Sequence, residues 1–183
     1  SLVGSEMCIR DRPVIMCSKG FEADTLCTLS QVIEQEMPNV KYGIFSGPSH
    51  AEEVSLGIPT AIVIASKDVE IQDMVQQLFM NEKMRVYTSD DVTGVELGGA
   101  LKNIIAFCAG IATEINLGDN TFAALVSRGL VEITRLGMAM GGRHDTFYGL
   151  SGLGDLIVTC MSEHSRNRRA GRLIGKGLSL IHI

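Results

Sequence analysis

The sharpest electrostatic feature of this 183-residue chain is Ser165-Arg166-Asn167-Arg168-Arg169. Ser165 can cap a helix whose first turn then carries three arginines, and cations there oppose the helix dipole. An anion held by guanidinium forks, the Asn167 amide and free backbone N–H groups would resolve that conflict. A solvated arginine face pairing with acids elsewhere is the alternative. Lys102 is the second chemical candidate. It lies in Val92 to Ile115, where Val95, Leu101, Ile104, Ile105, Cys108, Ile111, Ala112 and Ile115 recur at helical spacing and form the stripe expected to be buried. Lys102 itself projects from a face that carries Gly98, Gly99, Ala106 and Gly110. Each glycine inside a helix costs about 1 kcal/mol relative to alanine, so the Gly-Gly pair points to close backbone packing or ligand access. A surface lysine over a helix-packing groove fits the same pattern.

Three loops add polar groups. Lys19, in Ser18-Lys19-Gly20, follows an expected strand, where the carboxyl ends of parallel strands form ligand crevices, and could meet a phosphate or simply be solvated. In Ser46-Gly47-Pro48-Ser49-His50-Ala51-Glu52, Gly47 permits close backbone approach and Ser49 can cap the next helix with Glu52 as its capping-box partner. The amides of that helix start could also bind an anion. Gly149-Leu150-Ser151-Gly152-Leu153-Gly154-Asp155 is not a dinucleotide fingerprint, because Ile157 stands at the third glycine position and no strand precedes it. It reads as a tight turn that delivers Asp155 to a helix start, with dipole stabilisation as its plain role. Gly171 to Gly177 fails as a P-loop, one residue short and with Gly177 where Ser or Thr is needed.

The elements that must position these groups follow from the pattern. Short apolar runs at Pro13–Cys17, Tyr42–Phe45, Thr60–Ala65 and Arg85–Thr88 alternate with helical stretches at Ala23–Glu36, Ser49–Leu56 and Val69–Phe79, as in a largely parallel α/β sheet. After Asp90 the strands stop. Thr93–Ile115, Asn120–Met140, Asp145–Tyr148, Asp155–Cys160 and a last segment after Ser165 read as helices, with Asp119 or Asn120 capping the second and Gly141-Gly142 ending it. The fold class is α/β followed by all-α, with a boundary near Ser89 to Asp91. Residues 1–12 and 178–183 read as foreign tails and are set aside.

Composition limits the partners. The net charge is -5, which disfavours binding along a nucleic acid backbone. No uninterrupted apolar run approaches the roughly 18 residues that span a bilayer, and no secretory signal is visible, which together suggest a cytoplasmic protein without a membrane partner. Five cysteines, never spaced C-x-x-C, indicate neither a disulfide framework nor a metal site and are expected mostly as small core residues.

Ser46-Gly47-Pro48-Ser49, Gly94-Val95-Glu96-Leu97-Gly98-Gly99-Ala100-Leu101-Lys102-Asn103, Gly152-Leu153-Gly154-Asp155-Leu156 and Ser165-Arg166-Asn167-Arg168-Arg169, in this order, resemble the bacterial-type NAD(P)-dependent glycerol-3-phosphate dehydrogenases, over Pro13 to Gly177. The resemblance implies the C-terminal part of a Rossmann-type NAD(P)-binding domain (13–89) and a truncated helical substrate domain (90–177) like the C-terminal domain of 6-phosphogluconate dehydrogenase. It implies a cytoplasmic homodimer that interconverts dihydroxyacetone phosphate and sn-glycerol 3-phosphate for phospholipid synthesis. By the same resemblance Lys102 is the proton acceptor and donor. Lys19, Gly47, Ser49, Asp155, Ser165, Arg166 and Asn167 line the substrate site, and Lys19, Ala51 and Arg166 contact NAD or NADP. The family's glycine-rich pyrophosphate loop has no counterpart here, so the piece itself is expected to bind cofactor weakly and to turn over negligibly. A β-hydroxyacid or sugar-acid dehydrogenase and a non-catalytic anion-binding helical module remain as alternatives.

Overall fold

The computed structural model describes residues 12–179 and 181. The expected N-terminal tail therefore lies outside the described residues except for Arg12, as do positions 180, 182 and 183 of the C-terminal one. Strands β1 (Val14–Met16), β2 (Tyr42–Ser46), β3 (Thr60–Ala65) and β4 (Met84–Ser89) lie side by side in chain order. The β1–β2 and β3–β4 pairs are parallel, as expected, but β2 and β3 are antiparallel, with Ile44 opposite Ala65 and Ser46 opposite Val63. The connection explains the reversal. Helix α2 (Ala51–Ser55) has five residues and rises about 7.5 Å, too little to carry the chain back along β2's roughly 17 Å, so β3 starts where β2 ends.

Alternate residues of the sheet serve opposite faces. Phe45, Ile62, Ile64 and Val86 pack with Ile71 and Val75 of α3 (Val69–Phe79), while Ile44, Val63 and Ala65 pack with Val92 and Val95. Both faces are covered, which is why β3 reads Thr-Ala-Ile-Val-Ile-Ala without polar alternation. Helix α1 (Leu29–Glu36) begins six residues later than periodicity suggests. Thr28 caps it in a capping box with Gln31, and the preceding turn closes through Leu26 N–H donating to Glu22 O, with Leu26 at positive φ. Ser49 does not cap α2: His50 holds that position without a side-chain bond, and the Ser49 hydroxyl donates to Gly47 O at 3.3 Å.

Helix α4 (Val92–Glu114) runs through the centre, capped by the buried Asp91, whose carboxylate accepts from Gly94 N, Arg143 N and the Thr146 hydroxyl. Its burial keeps much of the expected stripe, with Val95, Leu101 and Ala112 buried, and adds the small-residue side to it. Ile104 is 63% exposed and Ile115 is exposed, whereas Leu97, Gly98, Gly99, Ala106, Ala109 and Gly110 are buried. Neighbouring backbones come close enough to bury the small-residue side as well. By length and composition α4 could also cross a membrane, contrary to expectation, but 67% of its most apolar window is buried inside the fold. Helix α5 (Gly118–Ala139) starts before Asp119 and Asn120, with Leu117 at the cap position and no side-chain bond. Helix α6 (His144–Tyr148) leads into a π-helical turn, Leu150–Gly154, that continues directly as α7 (Asp155–Met161). Of the described cysteines only Cys160 is buried, so the expectation of core cysteines holds for that one alone.

Helix α8 (Arg166–Gly175) lies along α4 at glycine contacts. A methyl group at Gly110 would collide with Arg168 O, one at Gly171 with Phe107 O, and one at Gly175 would sit 2.7 Å from Glu114 Cβ. Backbone carbonyls cannot swing aside. Gly171→Ala is therefore expected to lower unfolding stability by about 2 kcal/mol or more, measured by chemical denaturation, while Gly177→Ala, where no atom is near, costs no more than the strain of its positive φ.

Candidate active site

Lys102 sits on the third turn of α4 and is only 5% exposed. What lies against it is set by glycine: a Cβ at Gly98 would stand 2.8 Å from Ser151 O and 3.2 Å from Gly152 Cα, so the π-helical turn lies directly on α4. The chain that leaves this turn begins α7 with Asp155, 2% exposed, whose Oδ1 pairs with Lys102 Nζ. One turn on, Thr159 Oγ1 accepts from Lys102 Nζ at 2.7 Å while donating to Asp155 O at 2.6 Å. An ammonium has three N–H donors, and two of those on Lys102 are thus engaged.

Asp155 is shared. Its Oδ2 lies 2.6 Å from Nζ of Lys19, which arrives from the loop after β1 and also stands 3.5 Å from Gly47 O. Burial disfavours a charged Lys102 most and the nearby Lys19 charge adds to that, while Asp155 works in the opposite direction; the net result is a Lys102 pKa pushed down to about 8. An amine that titrates there can both give and take a proton at physiological pH.

Lys19, Ser49 and Ala51 line one cavity of about 430 Å³, walled by Phe45, Ile62, Phe79 and Met84, at the carboxyl ends of β1 and β2. Gly47 sits at its margin through its bonds to Lys19 and Ser49. Another cavity, of about 510 Å³ between α5, α6 and α7, contains no ionisable side chain except the exposed Tyr148 and is lined by no amine or carboxylate. The anion-side group is less assembled. Ser165 caps α8 by accepting from Arg168 N at 3.2 Å, but Arg166 and Asn167 are exposed and make no hydrogen bond to Lys102 or Asp155 among the described residues. The conflict between arginines and helix dipole is answered in part within the fold: Arg168 is buried and pairs with Glu163 at 2.5 Å, while Arg172, in the last turn where a cation suits the dipole, pairs with Glu114 and Glu163. Thr159 is the site residue that sequence reasoning missed. Its signal was its place four residues after Asp155, on the same face of α7.

Residues 5–72 match the N-terminal region of NAD-dependent glycerol-3-phosphate dehydrogenase, and residues 91–183 match its C-terminal region. The chain belongs to the NAD-dependent glycerol-3-phosphate dehydrogenase family. It is 58% identical over 164 residues to the glycerol-3-phosphate dehydrogenase [NAD(P)+] of Clostridium perfringens, covering 90% of this chain and 50% of that protein. The Fusobacterium nucleatum relative of the same name is 57% identical over 175 residues, covering 94% and 52%. The crystal structure of glycerol-3-phosphate dehydrogenase from Coxiella burnetii superposes with a TM-score of 0.90 at 39% identity, over 93% of this chain and 52% of that one. The structure of the Dunaliella salina enzyme gives 0.86 at 27% identity, covering 96% and 30%. The chain thus spans about half the length of the curated relatives it matches. Within the family frame, the fold is the later part of a Rossmann-type α/β region followed by helices.

The electrostatic account of Lys102 is directly measurable. Lysine-specific chemical modification followed by mass spectrometry across pH should give a midpoint near 8 for Lys102, and Asp155→Asn, which removes the charge that favours the ammonium, should move it lower. A midpoint near the ordinary lysine value of about 10.4 would contradict the account.

Proposed function

We propose that the complete protein of which this chain forms part interconverts dihydroxyacetone phosphate and sn-glycerol 3-phosphate, with NAD or NADP as cofactor. The observation that carries this reading is the Lys102–Asp155–Lys19 cluster, in which a buried amine poised near pH 8 shares a buried carboxylate with a half-buried second cation at the strand ends. Family membership supports it. In the division of labour we infer, residues 13–89 belong to the cofactor-binding domain and 90–177 to the substrate domain. As part of the same reading, we infer a cytoplasmic homodimer serving phospholipid synthesis.

The residues present fit the cofactor: an apolar-walled cavity with Lys19, Ser49 and Ala51 on its lining suits a flat ring with a polar edge, and Lys19, Ala51 and Arg166 would hold it. When bound, the nicotinamide supplies or takes up the hydride. The chain's own residues handle the proton and the substrate. As an ammonium, Lys102 donates a proton to the carbonyl oxygen of dihydroxyacetone phosphate; as a neutral amine it accepts the alcohol proton of glycerol 3-phosphate. Thr159 and Asp155 fix the direction of its nitrogen by holding two of its hydrogens. Asp155 also couples Lys102 to Lys19, so a ligand that engages Lys19 acts on the charge balance at Lys102. Exposed Arg166 and Asn167, with Ser165 at the α8 N-terminus, present donors to the phosphate, and Gly47, Ser49 and Lys19 face the substrate from the sheet side.

In the complete protein, Lys102→Ala should lower kcat by roughly 10²–10⁴-fold with cofactor affinity changed less than about threefold. Arg166→Ala should raise KM for the phosphorylated substrate about tenfold or more; unchanged kinetics in both variants would refute the assignment. The pH dependence has a defined sign. Oxidation needs neutral Lys102, so kcat/KM in that direction rises through pH about 8, and the reduction falls through the same range. Assay with carboxylated in place of phosphorylated substrates tests the sugar-acid dehydrogenase reading.

A further inference from the structure

Ser46, the last residue of β2, is 2% exposed, and its hydroxyl has no hydrogen-bond partner among the described residues. A buried hydroxyl left without a partner destabilises the fold that carries it, and such groups in native proteins call for a reason. Its surroundings supply one. Gly99 lies against it on α4: a Cβ there would stand 2.7 Å from Ser46 Oγ and 3.4 and 3.5 Å from Cδ and Cε of Lys19. The glycine therefore opens one space in which the serine hydroxyl and the lysine stem lie together. The residue after Ser46 already approaches the same ammonium, with Gly47 O 3.5 Å from Lys19 Nζ. The one short bond that ammonium makes is to Asp155, at 2.6 Å.

We propose that Ser46 is a positioning residue for Lys19: when a phosphorylated ligand oxygen engages Lys19, the ammonium takes a hydrogen bond to Ser46 Oγ, which holds it over the ligand. This rests on the reading of Lys19 as a substrate-side residue. Three donors on the ammonium allow ligand, Asp155 and Ser46 to be served at once, with the long 3.5 Å contact to Gly47 O given up. The hydroxyl rotates freely, so it turns a lone pair to the lysine without any movement of backbone. The unmet hydroxyl is the cost of having that acceptor in place beforehand.

The test uses Ser46→Ala in the complete protein, with KM for dihydroxyacetone phosphate and thermal midpoint measured together. Losing an unpartnered buried hydroxyl should leave the thermal midpoint of the ligand-free protein unchanged or raised, whereas losing the bond to Lys19 should raise KM roughly tenfold. A double-mutant cycle completes it: in a Lys19→Ala background, Ser46→Ala should add less than about twofold. Unaltered KM in Ser46→Ala, or a fall in thermal midpoint alongside the rise in KM, overturns the inference, the second by showing a packing role. Full additivity with Lys19→Ala also overturns it, because Ser46 would then act without Lys19. Should Lys19→Ala itself leave KM unaltered, the substrate-side reading of Lys19 fails, and the positioning role fails with it; a raised KM in Lys19→Ala alone sinks only the role of Ser46.

Discussion

The buried carboxylate of Asp155 ties the two halves of this chain together. Asp155 stands at the start of α7 and receives Lys19 from the sheet side on one oxygen and Lys102 from the central helix on the other. Burying two charged groups beside a half-buried third is expensive, and attraction between them offsets that only when every charge has a partner at close range. Asp155 is 2% exposed and Lys102 5%, so the pairing is close to obligatory for both. The arrangement still leaves a net positive charge in a poorly solvated place. Burial, with a smaller contribution from the Lys19 charge, makes Lys102 easier to deprotonate, and the surplus charge makes an incoming anion welcome.

Close approach makes the cluster possible, and glycine makes the approach possible. Gly98 lets the turn before Asp155 lie on α4, Gly99 leaves room for Lys19 and Ser46, and Gly110 and Gly171 let α8 run along the same helix. With larger residues at these positions the polar ends would stand apart, and water would enter between them. Glu96 adds a further tie: its buried carboxylate accepts from Ser30 N and the Ser30 hydroxyl at 2.9 and 2.5 Å, fastening the start of α1 to α4. The loop that carries Lys19 is thus bounded by a strand at one end and a clamped helix at the other.

Much of this was legible beforehand, and the failures have identifiable causes. β3 and α3 fall where the sequence suggests, because Thr60–Ala65 is bounded by Pro59 and Ser66, and Asp68 accepts from Glu70 N at the start of α3. The special environment of Lys102 was visible in its small neighbours. On α4 hydrophobic spacing places Val95, Leu101 and Ala112 inside, but close backbone packing also buries Gly98, Gly99 and Gly110 on the small-residue side, and Ile104 stays outside. Ser49 had every local feature of a cap, but its hydroxyl turned to Gly47 O, a choice that only the loop geometry could make. Thr159 could have been found from its spacing to Asp155. The Ser46 orphan could not, since being unpartnered is a property of the folded chain alone.

The antiparallel join between β2 and β3 has a metrical consequence. It sends β4 to end at the rim where β2 begins, so Asp91 and the start of α4 lie at the rim opposite Lys19. Helix α4 must then travel back beneath β2 to deliver Lys102. Ten residues from Val92 to Lys102 rise about 15 Å, close to the roughly 17 Å of a five-residue strand. The helix acts as a ruler cut to the width of the sheet. Adding or removing one residue in that interval would shift the lysine by only about 1.5 Å along the axis but swing it about 100° around it, out of reach of the carboxylate. Length in this interval is therefore as much a part of the chemistry as the identity of the lysine, and insertions are tolerable only outside it.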